Sequence, residues 1–174
     1  MNIVFIGDSL TAWFDWQKRF PRHSVLNLGL PGETVEELLD RRQALRSQIQ
    51  DPDRIFVMTG INNVLSEQYD ITAPYSEFVR NLATWYKSAV ITVQSILPVD
   101  VPWISNDAIR LINCRLTSIA EEQRAEYLDI YRSFVDPADQ PKAGFLSDDG
   151  VHLATRGYEV WALEVEAAIL QRAK

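Results

Sequence analysis

The chain has 174 residues, 47% of them hydrophobic and 24% charged, a length and mix that suit one globular domain over 1–174 and exclude a disordered chain. A formal net charge of -7 opposes general attraction to nucleic acid or anionic lipid and leaves small uncharged or cationic molecules as better-matched partners. The single cysteine, Cys114, excludes an internal disulfide and a cysteine-rich metal site, and no apolar run approaches membrane-spanning length.

Ile3-Val4-Phe5-Ile6 is an unbroken apolar run that reads as a strand buried on both faces, and it stops at Gly7-Asp8-Ser9. Ser9 then stands just past the C-terminal end of a central strand, where open parallel sheets bind their ligands. Taken alone, the tripeptide is more often an ordinary turn. No basic stretch followed by an apolar run precedes Ile3, so a cytoplasmic location is expected, or a periplasmic or secreted one for a chain whose export signal has been removed.

Trp13, Phe14 and Trp16 follow within one short segment; such rings either wall a pocket or join the core beside the sheet. A second strand is predicted over 24–28, leading into the loop Gly29-Leu30-Pro31-Gly32-Glu33-Thr34. Thr34 and Glu37 have capping-box spacing, and Val35, Leu38, Leu39, Leu45 and Ile49 recur at helical intervals, which predicts one helix from about 35 to 50. A third strand over 54–59 runs into Gly60-Ile61-Asn62-Asn63, and a helix opening near Thr72 carries Phe78, Leu82, Trp85 and Tyr86 on one stripe.

The fourth strand is predicted over 89–96, followed by an apolar loop, 97–103, that either borders a cleft or packs over the sheet. Its Trp103, like Trp13, is a candidate substrate contact. A helix over 106–123 includes Cys114, read as a small packed residue, and a short fifth strand covers 126–130. A loop over 136–148 precedes Asp149-Gly150-Val151-His152, after which Thr155 opens a last helix bearing Tyr158, Trp161, Ala162, Val165, Ala168 and Ile169. Strand and helix alternate throughout, which argues for an α/β sandwich with a parallel sheet, because parallel neighbours need crossover connections.

Two histidines are present. His23 lies between Arg22 and Ser24 with no carboxylate motif nearby and is expected at the surface. His152 follows Asp149 by three residues, close enough for both side chains to share one side of a turn. A serine hydroxyl needs a base to take its proton as it attacks, imidazole is the natural base near neutrality, and a carboxylate fixes the imidazole tautomer. Ester attack also needs donors for the developing oxyanion; the Ser9 N–H, the Gly32 N–H and the Asn62 side-chain amide each follow a predicted parallel strand and gather on one sheet edge. Alone, Gly32 and Asn62 read as turn or capping residues.

Together the four segments resemble the SGNH hydrolases, also called GDSL lipases and esterases. Gly7-Asp8-Ser9-Leu10 matches the first block of that family literally, and Gly32 in its loop looks like the second. Gly60-Ile61-Asn62-Asn63 is similar to the third block and Asp149-Gly150-Val151-His152 to the fourth. The third block usually ends in aspartate; Asn63 looks like the variant of the platelet-activating-factor acetylhydrolase branch. No Gly-x-Ser-x-Gly elbow surrounds Ser9.

The resemblance implies a flavodoxin-like, three-layer α/β/α sandwich with a five-stranded parallel sheet. It also implies a serine esterase acting on carboxylic esters through an acyl-serine intermediate, with Ser9, His152 and Asp149 catalytic and no metal or organic cofactor. Short-chain acyl or O-acetyl esters, including acetylated sugars, are the expected substrates, with lysophospholipids or thioesters as alternatives. From another class, a non-catalytic flavodoxin-like binding module and a receiver domain phosphorylated on Asp8 both leave Asp149 and His152 without a task. The receiver reading also lacks a second acidic residue beside Asp8 and a lysine after a late strand.

Overall fold

The computed structural model describes residues 1–171. Its elements in chain order are β1 (Asn2–Gly7), α1 (Ser9–Ala12), α2 (Trp16–Arg19), β2 (Ser24–Gly29), α3 (Val35–Asp40), α4 (Arg42–Gln48) and β3 (Arg54–Met58). They continue with α5 (Ile61–Leu65), α6 (Thr72–Trp85), β4 (Val90–Gln94), α7 (Asn106–Glu122), β5 (Glu126–Leu128), α8 (Tyr131–Phe134) and α9 (Thr155–Gln171). The five strands pair in parallel in the order β2-β1-β3-β4-β5.

In this order the chain leaves β1 for β2 on one side of it and reaches β3 on the other. The loops after β1 and β3 therefore diverge, and a crevice opens between them at the C-terminal edge of the sheet. β1, β3 and β4 are each paired on both edges; β3 is buried along its whole length, and β1 and β3 are written almost without polar residues.

Side chains alternate between two covered faces. On one, Phe5 stacks on Phe56 with ring centroids 5.2 Å apart and on Trp16 of α2 at 4.0 Å. Trp16 meets Trp161 of α9 edge-on at 4.8 Å, and the Trp161 indole N–H donates to Gln94 Oε1 on β4 at 2.8 Å. On the other face, α3 packs on α6 and α6 on α7, with α6 and α7 lying against β4. Helices thus cover both sides of the sheet in a three-layer α/β/α sandwich. Among the described residues, no helix is long and apolar enough to cross a membrane.

Several expectations change. The single helix expected over 35–50 is two, α3 and α4, joined at Arg41. The Arg41 side chain turns back to donate to Glu33 and to Leu28 O, a pull from the loop before the helix that a count of apolar positions does not contain. Cys114 is exposed rather than packed: on α7 the buried positions are Ile109, Ile112, Asn113, Leu116, Ile119 and Ala120, and Cys114 falls on the far side from Leu116. His23, expected at the surface, is half-buried there. The 97–103 loop packs, with Leu97, Val99 and Val101 buried and Trp103 left 68% exposed. The helices α1, α2, α5 and α8 are of four or five residues, too short for a hydrophobic period to announce them.

Candidate active site

Ser9 is placed by the end of β1. Asp8 caps α1, its side chain accepting from the Leu10 N–H at 3.0 Å, so Ser9 becomes the first helical residue. Its own N–H is among the first-turn donors that no carbonyl of the helix can accept. The hydroxyl points to the opposite end of the chain: Ser9 Oγ lies 3.1 Å from His152 Nε2.

His152 is delivered by the turn just ahead of α9. Asp149 Oδ1 accepts the backbone N–H of both Val151 and His152 at 2.9 Å, and Asp149 Oδ2 is 2.5 Å from His152 Nδ1. One carboxylate therefore shapes the turn and faces the ring that the turn presents. With the Nδ1 proton donated to that carboxylate, Nε2 is left as an acceptor for the Ser9 hydroxyl. Partial burial works to raise the Asp149 pKa, but the hydrogen bonds from His152 and the two backbone N–H groups outweigh it and hold it down at about 2. Gly150 has φ +72°, and an added Cβ there would lie 2.1 Å from Asp100 O. The turn consequently seats directly against the loop after β4, where Asp100 N–H donates to Gly150 O at 2.7 Å.

Gly32 comes from the loop after β2, and Asn62 from the first turn of α5, just after β3. Gly32 takes φ +81° with open space where a Cβ would stand, so its backbone is accessible in a conformation that side chains resist. Asn62 Nδ2 donates to Glu33 O at 2.9 Å, which ties α5 to the loop beside Gly32 and leaves the second amide hydrogen of Asn62 uncommitted to that bond. Asn63, buried completely, braces the same junction: its Oδ1 accepts from Val35 N–H at 2.9 Å and its Nδ2 donates to Glu36 Oε2 at 2.7 Å.

Three contributors to the surroundings of the site carried no signal in the sequence. Glu33 is buried and pairs with Arg41, whose Nη2 donates to Glu33 Oε2 at 2.7 Å and to Leu28 O at 2.9 Å. Burial raises the Glu33 pKa, opposed by the Arg41 hydrogen bond and charge. Tyr158 OH on α9 donates to Leu10 O at 3.1 Å and fastens α1 from above. A charged residue in a glycine-rich loop reads as solvated; the Arg41 side chain folded back onto the loop is what gives the buried Glu33 carboxylate its partner.

The candidate aromatics divide. Trp16 is core, 1% exposed, with its indole N–H on Thr11 O. Trp13 is 58% exposed and stacks on the His152 ring, centroids 4.3 Å apart and planes 27° from parallel. Trp103 stands exposed on the loop that abuts Gly150, and among the described residues no ring contacts it. Nor, among those residues, do three or more His, Cys, Asp or Glu gather in a way that could hold a metal ion.

The structure is similar to a Streptococcus pneumonia protein named for platelet activating factor, at 24% identity and TM-score 0.83, covering 96% of this chain and 83% of that one. It is also similar to the lipase/acylhydrolase from Enterococcus faecalis, at 22% identity and TM-score 0.80, over 98% of this chain and 96% of that one. A mutant form of an acetylxylan esterase from Geobacillus stearothermophilus matches at 20% identity and TM-score 0.76, over 94% of this chain and 91% of that one. No curated protein matches the sequence. The sequence model of the GDSL-like lipase/acylhydrolase family matches residues 5–160, from inside β1 into α9 and across all four blocks. The chain belongs to the GDSL-like lipase/acylhydrolase family and is a hydrolase of ester bonds.

Proposed function

We propose that the protein cleaves short-chain acyl or O-acetyl esters through an acyl-enzyme formed on Ser9. The observation that carries this reading is the continuous relay of 3.1 Å from Ser9 Oγ to His152 Nε2 and 2.5 Å from His152 Nδ1 to Asp149 Oδ2. His152 takes the Ser9 proton as Oγ attacks the ester carbonyl, and Asp149, ionised at any ordinary pH, holds the imidazole in the required tautomer and balances the imidazolium. The oxyanion is received by the Ser9 and Gly32 N–H groups and the Asn62 amide. His152 then returns the proton to the departing alcohol oxygen, and water activated by the same imidazole releases the acid.

The short acyl group is supported by how open the site is. The His152 side chain is 28% exposed, and Leu30, on the Gly32 loop, is 48% exposed, surroundings that suit a small acyl group better than a long chain. The likeness in fold to an acetylxylan esterase points the same way. The test is hydrolysis of p-nitrophenyl acetate by wild type, Ser9→Ala and Asn62→Ala, with folding checked by circular dichroism. Ser9→Ala is expected to fall to the background rate and Asn62→Ala to lose about 10² to 10³ in kcat. A folded Ser9→Ala protein that hydrolyses the ester as fast as wild type would overturn the proposal.

A further inference from the structure

Trp13 is held in the open although a core is close at hand. Two other tryptophans, Trp16 and Trp161, are 1% and 0% exposed, and both indole N–H groups are bonded. Trp13 leaves 58% of its surface to solvent, and among the described residues its indole N–H bonds to no protein atom. Its backbone is nevertheless fixed relative to the nucleophile, because Trp13 N–H donates to Ser9 O at 3.0 Å at the end of α1. A large ring so placed, one helical turn after Ser9 and lying over His152 at 4.3 Å, has both a free surface and a defined position.

We propose that Trp13 is the platform for the alcohol half of the substrate, and that this alcohol presents a ring face, as a sugar or an aryl group does, rather than a thin alkyl chain. The inference rests on the reading of Ser9 as nucleophile and His152 as base. In acylation the Ser9 Oγ–carbon bond forms, the carbon–alkoxy bond breaks, and the proton taken from Ser9 passes through His152 Nε2 to the alcohol oxygen. That oxygen must lie within hydrogen-bond reach of Nε2, on the His152 side of Ser9, while the carbonyl oxygen turns to the Gly32 and Asn62 loops. The ring lying over His152 therefore borders the alcohol, and Leu30, on the loop that carries Gly32, borders the other half. In deacylation the alcohol has gone: water attacks, the Oγ–carbon bond breaks, and His152 passes the proton from water to Oγ.

This difference between the two steps supplies the test. Wild type, Trp13→Ala and Trp13→Phe are compared on ethyl acetate, phenyl acetate and a peracetylated methyl xyloside, which share the acetyl group and differ in the alcohol. The decay of acetyl-Ser9 is followed separately by mass spectrometry after acid quench. Trp13→Ala is expected to lower kcat/KM on the ring-bearing acetates, relative to ethyl acetate, by about three- to tenfold. Trp13→Phe should recover most of that loss, and acetyl-Ser9 should decay at the wild-type rate in both variants. Which ring ester suffers more tells a sugar from an aryl alcohol. Equal losses on all three acetates together with slower decay of acetyl-Ser9 would mean that Trp13 acts only by holding His152, and would overturn the proposal. Unchanged kcat/KM on every ester would overturn it too. Absence of any acetyl-Ser9 in wild type would instead sink the mechanism on which it rests, an outcome visible without the variants.

Discussion

Asp8 occupies a costly position: its carboxyl is 1% exposed next to Ser9. Burial, with the nearby charge of Glu33, raises its pKa from 3.8 to about 7 against the lowering effect of the Leu10 N–H bond. Below about pH 4 the folded and unfolded chains both hold this group protonated, so its burial carries no electrostatic penalty. Between about 4 and 7 the unfolded chain gives up the proton while the folded chain retains it, so stability at this position falls as pH rises and levels off above about 7. Asp8→Asn keeps the capping acceptor and removes the titration. Unfolding free energies from urea titration are expected to be nearly equal for the two proteins at pH 4 and to separate in favour of Asp8→Asn by about a few kcal/mol at pH 8. A gap that stays constant across that range would contradict the assignment.

At the scale of elements, the junction of α3 with α5 decides how the second and third blocks meet. Asn63 donates to Glu36 and accepts from Val35 N–H, and an aspartate in its place could accept but not donate. The Asn63→Asp change would set a buried carboxylate beside the Glu36 carboxylate, at an expected cost of about 1 to 3 kcal/mol in stability. Adding Glu36→Gln restores a donor to the pair, so the double variant should regain most of the loss, as read from denaturant midpoints. If Asn63→Asp were neutral by itself, the bond to Glu36 would not be what asparagine contributes there. The break between α3 and α4 belongs to the same scale. Arg41 leaves the helical path to neutralise Glu33, so the periodic apolar positions on either side were legible while the interruption was not.

Across the whole molecule, α9 joins the end of the chain to its beginning. The helix is fastened by the Trp161 indole on Gln94, by the edge contact of Trp161 with Trp16 and by Tyr158 OH on Leu10 O. His152 lies three residues ahead of Thr155, where α9 starts, so the docking of α9 carries the imidazole to within 3.1 Å of Ser9 Oγ. Trp161→Ala would empty a fully buried site and strip Gln94 Oε1 of its donor. The expected loss is roughly 3 to 5 kcal/mol in unfolding free energy, with hydrogen exchange accelerating first along α9. Exchange that speeds up evenly over the sheet, leaving α9 no more open than β3, would show that the helix is not a separate clasp.

The order of the strands and the longer helices, the parallel sheet and the four short blocks were legible in the sequence, because each is written in local patterns: apolar runs, helical spacing, and glycine with small polar residues where a strand ends. Those signals need only a few consecutive residues to be expressed. The closeness of Ser9 to His152, the opposite fates of Trp13 and Trp16, the exposure of Cys114 and the neutral tendency of Asp8 were decided only by tertiary structure. Each depends on which distant segment covers a side chain and excludes water from it, and that is a property of the assembled layers, not of any stretch within them.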